Sequence, residues 1–501
     1  MADRITGETK TWHKVTLDFL SEQTFEEAPE TFRDWRLDVT FTHTETGETL
    51  TVPGFFAADG DAANTGATEG NVWRVNFNPP LEGEWTYEAS FRTGTDIAAT
   101  TAPNAGSPVA LAEDSGTLDI APTDKTGDDF RAKGMILQAE GEHFLQYQGD
   151  GDYFVRGGPG VPENFLANGD FDGANLSFAS VDDPNPGGGN LDRHQFANHV
   201  DDYDGDGETW DGGKGEAVLG AVNYLADQGM NTIYLLTNTV AGDGQDVSPW
   251  VDEDLYKVDK HTKSIEAAAG NTSGVSTDAF SVYDVSKLDQ WETVFDHMDD
   301  KGIYKNILFQ ETENDQLLNG GTSVEGSTLS VERLVYMREM IARFGHANGV
   351  QWNMGEENTQ TDQQRLDMAN WIKAVDPYDH LVVIHTFGSD YDDVYGSLLG
   401  DEAFDGPSFQ TGAGSIRNLT TEWREDSAAN GDPWVIAWDE DSGNNAKVTA
   451  YETDADNQNE QTLREGMWGH LTAGGSGVNW YLKGNGFGGH SFDQNLDDFE
   501  G

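Results

Sequence analysis

The chain has no cysteine in 501 residues, which excludes disulfides, thiolate zinc sites and cysteine nucleophiles. Stability has to come from burial and polar pairing alone. Basic residues are scarce as well: 29 Lys and Arg stand against 90 Asp and Glu, a formal charge of −61. A field of that sign is wrong for nucleic acid or an anionic membrane surface, and neither is expected as a partner. No apolar run approaches the ~20 residues needed to cross a bilayer, so no membrane insertion is expected. The opening Met1-Ala-Asp-Arg lacks the apolar stretch of a signal peptide.

What is present in excess is acid, spread from end to end. Self-repulsion of that size loosens a compact fold at low ionic strength. Molar salt, with a Debye length of roughly 3 Å, screens it. The composition is that of a protein built for high salt. Charge-driven disorder is excluded because 11% of residues are aromatic and apolar runs recur throughout.

Residues 1–125 read as all-β. Val15–Phe19, Trp35–Phe41 and Trp73–Phe77 alternate apolar with polar residues at period two, and turn signals such as Pro79-Pro80 separate them. That pattern predicts an immunoglobulin-like β-sandwich, with Trp35, Trp73 and Trp85 in its core. Over residues 126–501 apolar runs alternate with helical segments, the signature of βα units. Eight strands are expected: Tyr153–Arg156, Thr232–Leu236, Tyr304–Phe309, Val350–Met354, Leu381–Ile384, Pro407–Phe409, Trp434–Trp438 and Gly477–Tyr481. Helices are expected over Gly215–Gln228, Leu288–Lys301, Ser330–Ala347, Asp362–Val375 and Glu460–Ala473. The fold predicted is a (β/α)8 TIM barrel carrying an N-terminal sandwich, with its reactive groups at the strands' C-terminal ends. Only some twenty residues follow the eighth strand, so the natural chain is expected to continue past Gly501.

Two of the predicted strands run directly into paired acids. Val350-Gln-Trp-Asn-Met-Gly-Glu-Glu-Asn358 ends in Glu356 and Glu357, and Pro433-Trp-Val-Ile-Ala-Trp-Asp-Glu440 ends in Asp439 and Glu440. One acid to give a proton and one to attack, or to activate water, is what cleavage of a glycosidic bond needs. The bland alternative, a solvated acidic surface, fits poorly with acids that terminate tryptophan-bearing apolar strands.

Several stretches together carry a family likeness: Tyr153-Phe-Val-Arg-Gly-Gly158, Pro162-Glu-Asn-Phe-Leu-Ala167, Asn223-Tyr-Leu-Ala-Asp-Gln-Gly-Met-Asn231, Trp352-Asn-Met-Gly-Glu-Glu-Asn358 and Met467-Trp-Gly-His-Leu-Thr-Ala-Gly-Gly475. With them the chain resembles, over nearly its whole length, a bacterial and archaeal family. Its members pair an N-terminal immunoglobulin-like domain of unknown function with a barrel assigned to the clan A glycoside hydrolases. The resemblance implies an acid/base glutamate after strand four and a nucleophilic glutamate after strand seven. The strand-four pattern Trp-x-x-x-Asn-Glu, laid on Trp352, puts the acid/base at Glu357. Glu356 then stands where the pattern has asparagine, and it remains a rival. After strand seven Glu440 leads Asp439, because glutamate is the clan's nucleophile and its reach suits an anomeric carbon. The protein is expected outside the cell or on its surface, exported by a leader absent from this chain.

Around these acids, Gln310, Glu311, Glu313, Asn358 and His385 are candidates to bind sugar hydroxyls, with Gln410 a weaker one. Trp480 and Trp250 are candidate aromatic platforms for sugar C–H faces. Glu163 and Asn164 could reach the cleft from the loop after strand one. Asp202, Asp204 and Asp206 imitate the opening of a calcium loop, but its twelfth position is Gly213 instead of a bidentate glutamate. No metal or other cofactor is expected. The competing reading is a non-catalytic carbohydrate-binding or cell-surface protein on the same fold, for which the two acid pairs would stand far apart.

Overall fold

The computed structural model describes residues 5–160, 165–173, 194–240, 242, 247–251, 277–320, 323–324, 326–441 and 462–480. Its first part is a β-sandwich of two antiparallel sheets. One sheet runs Ile5–Gly7, Val15–Phe25, Glu69–Phe77, Phe55–Phe56. The other runs Thr49–Pro53, Trp35–His43, Gly83–Thr93, with Ser107–Pro108 and Ser115–Ile120 both pairing on Gly83–Thr93. Period-two alternation turns Leu37, Val39, Phe41 and His43 inward. The two inner faces meet through aromatic rings, with Phe41 stacked on Phe77 at 3.8 Å and Trp85 edge-on to Phe77 at 5.2 Å.

The second part is a (β/α)8 barrel. Its parallel strands are Arg156–Pro159 (β1), Thr232–Leu236 (β2), Tyr304–Leu308 (β3), Val350–Asn353 (β4), Val382–Thr386 (β5), Gly406–Gln410 (β6), Ala437–Glu440 (β7) and Gly477–Trp480 (β8). They pair in sequence order from β2 to β8, and β8 pairs β1. The remaining seam is held at its lower end, where Asn231 donates its N–H to the Gly157 carbonyl at 2.9 Å and accepts from Gly157 N–H at 2.8 Å. Gly158 has to be glycine there: a Cβ would sit 1.9 Å from the Thr232 carbonyl oxygen.

Glu216–Asp227 (α1), Val285–Asp300 (α2), Val331–Phe344 (α3), Asp362–Val375 (α4) and Ala413–Ala429 (α5) connect the strands, with a single turn, Tyr391–Val394, between β5 and β6. The last βα connection winds through a π-turn, Thr462–Met467, into Trp468–Thr472. Three expectations need correction. Tyr153–Phe154 belongs not to the barrel but to a small antiparallel sheet with Ile136–Gln138 and Leu145–Tyr147, and β1 starts later, at Arg156. Strand β7 begins at Ala437, not at Trp434. Helix α5 was not foreseen at all.

The sandwich docks on α2 and α3. All fourteen residues of α3 are buried, where a solvent-facing barrel helix would show a polar stripe. Arg338 reaches Asp38 at 2.6 Å and Arg343 reaches the Phe56 carbonyl at 2.9 Å. From the sandwich, Lys14 inserts between Glu292 and Asp296 of α2, donating to Glu292 at 2.8 Å and also to Asp296.

Candidate active site

Parallel strands closed into a barrel bring all their carboxyl ends to one face. From β4 the chain turns through Met354 and Gly355 into Glu356 and Glu357. Strands β5, β6 and β7 end in His385-Thr386, Gln410 and Glu440. Glu357 adopts φ 48°, the left-handed region, which costs a residue with a Cβ roughly 1–2 kcal/mol. That turn throws its carboxylate across to β6 and β7.

One nitrogen joins the two acids. Gln410 Nε2 donates to Glu357 Oε1 and to Glu440 Oε2, each at 2.8 Å, so those oxygens lie no farther apart than twice that distance. A register shift puts Gln410 there. Phe409 pairs with Trp438, but the next residue, Gln410, pairs with Glu440, so Asp439 is skipped. Such bulges re-aim side chains.

The skipped Asp439 is fully buried and both of its oxygens are taken. Ser408 Oγ donates to it at 2.7 Å, Asn306 Nδ2 at 3.1 Å and Arg156 at 3.1 Å. Asp439 was expected to touch substrate or to rival Glu440; its place is in a buried polar layer inside the barrel. Arg156, Asn306 and Ser408 were not foreseen. They come from three other strands, and only the closed barrel unites them.

Glu357 is half-buried, and loss of water pushes its carboxyl up to about 7, with the negative charges of Glu440 and Glu313 adding to the rise. The Gln410 hydrogen bond and His385 pull the other way. His385 is buried, with Nδ1 3.3 Å from Ser408 Oγ and Nε2 3.5 Å from Glu440 Oε2. A Glu356 carboxylate oxygen lies within 4.8 Å of both the His385 ring nitrogen and the Glu440 carboxylate.

The remaining candidates separate clearly. Gln310 is buried under the β4 turn, where its amide donates to the Met354 carbonyl at 2.8 Å and its oxygen accepts from Arg333. It holds the turn that carries the acids. Asn358 is also used locally, bonding Gln360 through its amide at 2.7 Å and accepting from the Gln360 N–H at 3.0 Å. Glu311 is buried against Gly242, where a Cβ would come within 2.1 Å of its carboxylate. Glu313 is half-buried and close enough for its charge to act on Glu357.

Trp480 is partly exposed at the end of β8, its ring 5.6 Å from Trp438 at 71°. Trp250 is no platform: it is 0% exposed, wedged among Phe280, Tyr283 and Tyr336. Asp202 pairs with His199, and Asp204 and Asp206 with Asn223, while Asp206 also meets Lys301. Glu163 and Asn164 lie outside the described residues.

Residues 8–92 match the model of a domain of unknown function, DUF5060. No curated protein matches the chain. Over 96% of its length the chain superposes on 73% of a Bacteroides vulgatus protein provisionally assigned as a glycoside hydrolase, at 16% identity and a TM-score of 0.55. A glycoside hydrolase family 5 mannosidase from Rhizomucor miehei shares 10% identity over 72% of this chain and 90% of its own, with a TM-score of 0.41. An endo-β-1,4-mannanase from Thermotoga petrophila shares 13% identity over 54% of this chain and 66% of its own, with a TM-score of 0.32. The first of these likenesses is one of fold: a barrel of the glycoside hydrolase type with a β-sandwich before it.

Proposed function

We propose that the chain is a retaining glycoside hydrolase that cleaves O-glycosidic bonds in a polysaccharide or oligosaccharide, with Glu357 as acid/base and Glu440 as nucleophile. The observation that carries this reading is the Gln410 amide shared between the two carboxylates. Retaining enzymes hold their carboxyl groups about 5–5.5 Å apart, and inverting ones roughly 6.5–9.5 Å, to leave room for water. Oxygens bound to one nitrogen at 2.8 Å each fit the shorter spacing and argue against the non-catalytic reading, which expected a wide gap.

In the first step a Glu440 oxygen attacks the anomeric carbon while the Glu357 proton passes to the departing glycosidic oxygen. The C–O bond breaks and a glycosyl ester forms on Glu440. In the second, Glu357 takes a proton from water, whose oxygen attacks the same carbon and releases the Glu440 carboxylate. The raised affinity of Glu357 for its proton suits the acid role. Gln410 holds Glu357 by Oε1 and leaves Oε2 for the proton.

The reading extends to an exported protein working in strong brine, divided near residue 125 into an immunoglobulin-like domain and a catalytic barrel. The −61 charge supports the salt requirement, and an unfolding midpoint that fails to rise with salt would remove it. The test of the chemistry is a panel of 2-deoxy-2-fluoroglycosides read by intact-protein mass. One covalent adduct is expected on the native chain and none on Glu440→Gln. Full glycan hydrolysis by both Glu357→Gln and Glu440→Gln would end this assignment.

A further inference from the structure

We propose that Glu356, His385 and Glu440 form a binding site for a divalent transition-metal ion of the zinc type, set in the same cleft. Three elements supply one donor each: the turn after β4, strand β5 and strand β7. The donor atoms all lie within 4.8 Å of one another.

The second observation concerns His385. It is 0% exposed, and its Nε2 has no hydrogen-bond partner among the described residues. Ser408 gives its own proton to Asp439 at 2.7 Å, so at 3.3 Å from His385 it accepts from Nδ1–H. In the neutral form that binds a metal, the imidazole therefore has its lone pair on Nε2, whereas the protonated ring supplies the positive charge that acts on Glu357. That lone pair stands 3.5 Å from Glu440 Oε2, an acceptor facing an acceptor. Donors sharing a tetrahedral zinc at about 2.0–2.1 Å stand roughly 3.4 Å from each other. The His385–Glu440 spacing is close to that value, and a Glu356 carboxylate oxygen stands within 4.8 Å of both.

The surroundings fit a metal-binding histidine. Such residues pass their other ring N–H to a carboxylate or another oxygen, which fixes the tautomer; here Ser408 relays it to Asp439. An imidazole and two carboxylates suit zinc and its neighbours, whereas calcium takes six to eight oxygens. Three protein donors leave a fourth position for water. An ion held there occupies the lone pairs of Glu440 and acts as an off-switch for hydrolysis; that consequence rests on the function proposed above.

Calorimetric titration of the full chain with zinc chloride in molar salt tests the site without any substrate. One binding event is expected, weakened at least tenfold in both Glu356→Gln and His385→Ala. Circular dichroism identifies any variant that fails to fold, and Glu356→Gln, in a half-buried turn, is the milder change. Equal uptake by the native chain and both folded variants would overturn the site. Hydrolysis stopped by zinc and restored by chelator supports the off-switch. Hydrolysis that instead requires zinc overturns the off-switch and the retaining reading together. Zinc bound at these residues in a chain that cleaves no glycan leaves the site standing and removes the hydrolase.

Discussion

Arg156 on β1 and Asp439 on β7 form an ion pair at 3.1 Å, with both side chains all but sealed from solvent. Removing one member of such a pair strands the other charge and typically costs about 3–5 kcal/mol. Asp439→Ala is therefore expected to lower the free energy of unfolding by roughly that amount. Its neighbour behaves oppositely: Glu440→Gln is expected to keep stability within about 1 kcal/mol and to abolish turnover. Urea unfolding and a glycan assay on the two variants separate the roles, and the reverse outcome would exchange them.

The pH dependence of hydrolysis follows from Glu357. The group is held at about 7 and has to carry a proton to act as acid. Activity is present below that value and is expected to fall tenfold per pH unit above it. Glu313→Gln removes a negative charge that raises Glu357, so the basic limb should move to lower pH. The profile is measured with chelator present, so that no cation neutralises the cleft. A limb that stays put or moves upward contradicts the assignment.

Gln410→Ala gives the opposite shift. The lost hydrogen bond no longer favours the ionised form of Glu357, so the basic limb moves to higher pH. A donor aimed at a reacting carboxylate is also worth roughly a hundredfold in kcat. Steady-state kinetics across pH report both effects, and an unchanged kcat would make Gln410 a bystander.

At the junction of sandwich and barrel, Lys14→Met leaves Glu292 buried and without its cation. Asp296 is more exposed and tolerates the loss better. The expected destabilisation is about 2 kcal/mol, below the range for a fully buried pair. Thermal unfolding is the readout; little or no change would mean that the apolar contacts on α3 hold the two parts together unaided.

Which features could be read from the sequence depended on how local their causes are. Helix α4 matched its expected limits because Thr361 and Gln364 form a capping box that marks its start. Strand β2, Thr-Ile-Tyr-Leu-Leu, and the first half of β5, Val-Val-Ile, stood out as apolar runs, as doubly covered strands should. Strand β1, by contrast, is Arg-Gly-Gly-Pro. It is a strand because β8 pairs with it, and nothing in its own composition says so. Helix α5 buries only Ala413, Ile416, Thr420, Trp423 and Ser427, too few apolar residues to announce a stripe. The two acid pairs were visible because each ends a strand. The sorting of Asp439 into the barrel's buried polar layer, and the rise of Gln410 from a minor candidate to the bridge, depend on a one-residue shift between β6 and β7 that no periodicity reveals. Trp250 misled because a tryptophan looks the same in sequence whether it is packed or exposed.

The left-handed backbone at Glu357 has an evolutionary corollary. Glycine or asparagine would sit at that position with less strain, so the fold would gain from losing the side chain on which the proposed chemistry turns. Breeding the protein for heat resistance alone should enrich Gly or Asn at 357 among its earliest winners, robust molecules with a silent cleft. Selection for what that side chain does is what would keep a glutamate there.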